Sequence, residues 1–248
     1  MGERSGPPGE ASRAGLFVDA PTGDPLATGP RAGGAGPVVA VTTGYGYAET
    51  AELLTAAGAV VAPLDPLRDE ALPAGTCGLV VGGGLPESYA EELSANAALR
   101  AAVAELARSG RPVAAEGAGL VWLCRELDGR PMCGVLDAAV RTTELTVVGY
   151  RDATAASASP LLPAGAAVAG HKLHRTLVSP RAGDQPAWTW PGGPPEGHVQ
   201  RGVHASHLAL HWAGNPGIAA RFVAAAAGHV VSPDAGPPPA GSDLDVAA

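Results

Sequence analysis

Lysine, aromatic residues and cysteine are all scarce in this chain, and each scarcity narrows what it can do. Lys172 is the only lysine, and 16 basic residues against 24 acidic ones leave a formal charge of −8. A surface that grips nucleic acid needs a cationic field over phosphates, so the charge balance argues against that class. Aromatic residues make up 4% of the chain, and Ala and Gly fill much of the volume within an apolar content of 46%. Cys77, Cys124 and Cys133 are odd in number and lack C-x-x-C spacing. That fits a reducing compartment better than a disulfide framework. No basic start followed by an apolar stretch marks a secretory signal. No uninterrupted apolar run approaches the ~20 residues of a membrane helix. A cytoplasmic protein that touches neither membrane nor nucleic acid is the expectation. No G-x-x-x-x-G-K-[ST] loop is present, so a phosphate cradle of that kind is missing too.

What is present is organised in three parts. Residues 1–36 are Gly, Pro, Ala and Ser with little periodicity and read as a flexible arm, with a weak strand signal at Leu16-Phe17-Val18. Residues 232–248 have the same character and read as a disordered tail. Between them, 37–231 reads as one domain. Short apolar runs at 38–41, 60–62, 78–81 and 112–116, the first of them β-branched, alternate with helical patterns at 48–57, 88–108 and 120–127. Apolar strands alternating with amphipathic helices indicate a mostly parallel sheet covered on both faces. The second half carries β-like runs at 143–150 and 199–212, broken by Pro and Gly.

The run Pro112-Val113-Ala114-Ala115-Glu116-Gly117-Ala118-Gly119-Leu120 has the layout of a catalytic elbow. Enzymes use such a strand–turn–helix to hold a Ser or Cys beside backbone N–H donors. At the tip stands Gly117, which has no nucleophile to offer. Cys124, the nearest thiol, lies seven residues on, two helical turns or roughly 10 Å away, and reads as a small core residue. Upstream, Gly82-Gly83-Gly84 follows a strand and is either an ordinary strand-end turn or an oxyanion loop whose N–H groups meet a carbonyl.

Four stretches together resemble the glutaminase domain of cobyrinic acid a,c-diamide synthase, a class I glutamine amidotransferase. Gly82 to Glu87 is similar to that family's G-G-G-Y-P-E, and Ala115 to Leu120 to its A-E-C-G-G-L. Leu145 to Arg151 with Ala153 matches most of L-T-L-G-Y-R-E-A. Val203 to Trp212 is similar to V-H-A-S-Y-L-H-L-H-W, and Gly170 to Thr176 echoes G-H-E-F-H-Y-S. The resemblance covers about residues 37–223. It implies a flavodoxin-like α/β fold with its pocket at the carboxyl ends of the strands. It also implies that Gly82, Gly83 and Gly84, with Glu87 behind them, form the oxyanion or ligand loop.

The departures carry as much as the matches. The family's nucleophilic Cys falls at Gly117, its basic His at Ala209, and a Tyr nearby at His207. Removing a nucleophile or its base costs about 10⁶ in kcat, with little further loss when both go. No glutaminase activity is therefore expected. Glu116 then reads as a buried or capping carboxyl rather than an acid–base catalyst. His204 and His211 match the family scaffold. On one continuous strand His207, Ala209 and His211 would share a face. His207 and His211 could then hold a metal with His171 or His174, but inherited scaffold residues are the favoured reading, with no cofactor. The expected role is a binding or partner module related to cobalamin biosynthesis. Its partner would be a separate ATPase subunit or a corrinoid-pathway protein. The alternatives are an amide-transfer subunit working in trans with that ATPase, or a His-based metal protein or hydrolase.

Overall fold

A computed structural model describes residues 36–43 and 46–229, so the expectations for the arm and the tail lie outside the described residues. Along the chain the elements are β1 (Val38–Thr42), α1 (Ala48–Ala56), β2 (Val60–Leu64), β3 (Thr76–Val81), α2 (Ala90–Ala95) and α3 (Ala97–Arg108). Then follow β4 (Val113–Glu116), α4 (Ala118–Leu123), β5 (Glu126–Leu127), β6 (Arg130–Pro131), β7 (Ala139–Ala155) and β8 (Ala167–Ser179). The chain continues through β9 (Trp188–Thr189), β10 (His198–Gln200), β11 (Val203–Ser206), β12 (Ala209–Leu210) and α5 (Gly217–Ala227).

Two sheets result. The first runs β10-β11-β4-β3-β1-β2, and every pairing in it is parallel except β10 with β11. Read from β2, the order 2-1-3-4 followed by β11 is that of a flavodoxin-like doubly wound sheet, with its switch point between β1 and β3. All six residues of β3 are buried, as a central strand covered on both faces requires. Leu99, Val103, Leu120 and Leu123 pack on one face, and Leu54, Ile218, Phe222 and Trp212 on the other. The second sheet, β12-β8-β7-β5-β6, is built mainly on the antiparallel β7–β8 ribbon.

Three sequence expectations are corrected. The helix expected over 88–108 is split: a 3₁₀ turn over Pro86–Ser88 and α2 precede α3. Asn96 makes the break, accepting from Leu99 N–H at 3.2 Å and donating through Nδ2 to Pro66 O and Asp69 O. Asn satisfies a helix start by competing with the backbone, which is why it caps rather than continues. The helix expected over 120–127 spans only 118–123 and is buried rather than amphipathic. The N–H groups of Cys133, Gly134 and Val135 donate to carbonyls of Trp122, Cys124 and Leu123, and so close its end. The β-like run at 199–212 is three short strands and a 3₁₀ turn, whereas the run at 143–150 extends to 17 residues as β7.

Candidate functional site

The elbow is present in backbone form. β4 ends at Glu116, and Gly117 turns the chain with φ 56° and ψ −110° before α4 begins. That positive φ favours glycine. The Gly117 N–H donates to Ser206 O at 2.8 Å, tying the tip to the end of β11. A Cβ on Gly117 would stand 3.3 Å from Gly83 Cα, so the tip faces the glycine loop. Two residues on, a Cβ on Gly119 would lie 2.6 Å from Val81 O. Only glycine lets α4 press this closely on β3.

Gly82, Gly83 and Gly84 follow β3 as expected. Gly82 N–H donates to Thr42 Oγ1 at 3.0 Å, fixing the root of the loop to β1. The N–H groups of Gly83, Gly84 and Leu85 have no acceptor among the described residues. Glu87 is buried and does not face this space. Its Oε1 accepts from Arg175 Nε and Nη2 at 3.2 and 3.0 Å, stapling the loop to β8. Between the ends of β1 and β3, at the switch point, opens a cavity of about 410 Å³ that touches Thr42, Gly83, Leu85, Ala118 and Trp122.

Glu116 points away from the tip. Its two carboxyl oxygens accept from Leu210 N–H and Trp212 Nε1–H, each at 3.2 Å. Burial without a cationic partner pushes its carboxyl up to about 7, against the pull of those two donors. It therefore anchors β12 and the following 3₁₀ turn to the elbow.

Ala209 stands in β12 opposite His171 of β8 and brings no proton acceptor to the site. The expectation that His207, Ala209 and His211 share a strand face is corrected, because β11 stops at Ser206 and β12 starts at Ala209. His207 turns into the interior. Its Nε2 lies 2.9 Å from Thr176 Oγ1, and its ring stacks on His174 at 3.7 Å. Desolvation, with the charges of His174 and Lys172 adding to it, holds its pKa well below the usual histidine range. His211 sits outside, half exposed, with its ring 4.7 Å from Tyr47 and Nε2 3.9 Å from Glu49 Oε1. His204 is buried, with Nδ1 3.2 Å from Ser159 Oγ, and desolvation lowers it to about 4. Among the described residues no three His, Cys, Asp or Glu side chains come together as metal ligands. Cys124 is buried with its Sγ donating to Leu120 O, and burial drives its thiol up to about 12. A thiol raised this far and tied to a carbonyl is a poor nucleophile.

Sequence reasoning missed Glu196, which lies at the centre of a buried polar cluster behind the elbow. Ser206 Oγ donates to its Oε2 at 2.8 Å and His207 N–H to its Oε1 at 2.9 Å. Lys172 Nζ stands 3.6 Å from Oε2 and 4.5 Å above the Trp190 ring. Through Ser206 this carboxylate fixes the carbonyl that receives the Gly117 N–H. A lone Glu after Pro194-Pro195 carries no local pattern that announces the role.

Residues 43–216 match the CobB/CobQ-like glutamine amidotransferase domain family. Hydrogenobyrinate a,c-diamide synthase of Streptomyces coelicolor is 62% identical over 181 residues, covering 72% of this chain and 37% of the relative. The enzyme of that name from Mycobacterium tuberculosis is 50% identical over 187 residues, covering 74% and 41%. Cobyrinate a,c-diamide synthase of Synechococcus is 41% identical over 190 residues, covering 72% and 41%. The chain thus spans about two-fifths of the length of these curated relatives. A solved glutamine amidotransferase superposes with a TM-score of 0.58 at 21% identity, covering 76% of this chain and 98% of that one. PurLQS from Thermotoga maritima gives 0.51 at 15% identity, covering 77% and 97%. At these identities the structures speak for the fold alone, which is the class I glutamine amidotransferase fold. The chain belongs to the CobB/CobQ-like glutamine amidotransferase family.

Proposed function

We propose that this chain is a glutaminase-silent amidotransferase domain, acting as a binding or partner module connected with corrin-ring amidation. One observation carries the reading. The elbow keeps its backbone and its glycine loop, while the two positions where the family resemblance puts chemistry are Gly117 and Ala209. Neither residue can attack an amide or move a proton, and no buried neighbour among the described residues replaces them. Cys124 is protonated and tied to a helix carbonyl, and His207 is spent on Thr176. The relatives' names supply the corrin connection. The partner would be a separate ATPase subunit or a corrinoid-pathway protein.

The test is glutamate release from glutamine by the purified chain. The expected result is a rate equal to the protein-free control. Release above that control, lost on a single substitution within the site, would overturn the proposal.

A further inference from the structure

The β7–β8 ribbon has one face that none of the described residues covers. Along β8 the exposure alternates: residues 168, 170, 172 and 176 are buried, whereas 169, 173, 175, 177 and 179 are exposed. Alternate residues of a strand share a face, and directly opposed residues of antiparallel neighbours point the same way. The register pairs Leu173 with Val148, His171 with Tyr150, Leu177 with Arg141 and Ala169 with Asp152. Val148, Tyr150, Leu173 and Leu177 therefore stand on one outer face, 63%, 80%, 56% and 55% exposed. Of the eight large hydrophobic residues exposed among the described ones, six lie on this ribbon, so the apolar surface is gathered rather than scattered. Single exposed apolar residues need no explanation, but a contiguous apolar stripe marks a surface that meets another molecule.

The charges at the two ends of the stripe indicate what it meets. Arg141 closes one end and Asp152 the other, about 26 Å apart along the strands. Neither is in an ion pair among the described residues. Arg175, also on this face, is spent on Glu87, so the free charges sit at the ends, opposite in sign and equally far in register from Leu173. We infer that the stripe is the contact between two copies of this chain, stacked face to face about a two-fold axis that crosses the strands at Leu173. Such an axis sets Leu173 and Val148 against their own counterparts and each Arg141 over the partner's Asp152. The contact is isologous, so it closes as a dimer and leaves no further copy to add. The inference goes beyond the proposed function and does not depend on the silence of the elbow.

Sedimentation velocity of the full chain tests this. At about 100 µM the wild-type chain should run as a dimer, and a monomer at that concentration would overturn the inference. Leu173→Glu sets two like charges on the axis and should give a monomer. Tyr150→Ser should weaken association by at least about tenfold. Both side chains are exposed, so both variants should keep the wild-type far-ultraviolet circular dichroism. Arg141→Glu meets the partner's Asp152 with a like charge and should raise Kd about three- to tenfold. Adding Asp152→Lys returns opposite charges to both ends and should bring Kd back to within about twofold of wild type. A dimer that survives Leu173→Glu would show that the copies meet elsewhere. A charge swap that fails to restore the dimer would show that they do not stack in this sense. Either result would overturn the inference.

Discussion

Placing a thiol at the elbow should destabilise the protein and, on the proposed function, still yield no glutaminase. Gly117 holds φ 56° and ψ −110°, a state that a residue with a side chain occupies at a cost on the order of 1–3 kcal/mol. The new Cβ would also press on Gly83 Cα at 3.3 Å, where only backbone can give way. Gly117→Cys should therefore lower the unfolding free energy by about 1–3 kcal/mol. Gly117→Ala should cost about the same, because the strain belongs to the Cβ and not to the sulfur. Urea melts of both variants measure this. Turnover by Gly117→Cys should stay at background, since Ala209 supplies no imidazole. His207 is bound to Thr176, and His211 is turned towards Tyr47 and Glu49. Adding Ala209→His should raise glutamine hydrolysis over the single variant by at least about tenfold, ~1.4 kcal/mol of barrier. Equal rates above background in single and double variants would show that a resident histidine already serves as base. Unchanged stability of both Gly117 variants would show that the turn relaxes freely. Two folded but inactive variants would show that the pocket no longer keeps the family geometry. Any of these would break the chain of reasoning from backbone to silence.

The pH dependence of stability should have two opposed limbs, read from urea melts between about pH 4 and 9. Glu116 is raised to about 7, so its contribution is full below the ordinary carboxyl range and ebbs as pH climbs through that value. Glu116→Gln should flatten this limb by no more than about 3 kcal/mol, less whatever its partial exposure screens. His204 is lowered to about 4, so its contribution is full above the ordinary histidine value and is lost as pH falls through 4. His204→Gln should flatten the acid limb. Glu196→Gln strands Lys172 in the interior and should cost about 3–5 kcal/mol, seen as a melting temperature on the order of 10 °C lower. Replacing both partners, with Lys172→Met added, should recover part of that loss.

The layout of the first sheet was legible because its parallel strands are short, nearly continuous apolar runs, and runs of that kind mark a sheet buried on both faces. The glycine loop and the elbow were legible because their spacing follows a family pattern. Helix limits were not. Asn96 sits in an alanine-rich stretch whose local propensity favours one long helix, and the break is decided by carbonyls of Pro66 and Asp69, about thirty residues away. The same holds for α4, whose end is set by the chain at 133–135 returning across it. His207 and His211 were placed together on a strand that the sequence alone suggests is continuous. Glu196, 10 to 24 residues from its partners Ser206, His207 and Lys172, draws the segment after β11 inward and separates them. Long-range polar contacts of this sort leave no periodic trace.

The persistence of the elbow also needs a cause, because Gly117 itself does not impose it. Glycine reaches both signs of φ at little cost, so a turn at φ 56° is held from outside. Three contacts do so. Ser206 O receives the Gly117 N–H, Glu196 fixes Ser206 through its hydroxyl, and Gly119 lets α4 settle against Val81. The first and third belong to the packing of β3, β4 and β11, and the second ties β11 to the chain just before β10. The sheet therefore keeps the shape of a nucleophile's seat whether or not a nucleophile occupies it. The same packing holds the 83–85 loop across from the elbow tip, with Gly83 Cα 3.3 Å from where a Cβ on Gly117 would stand.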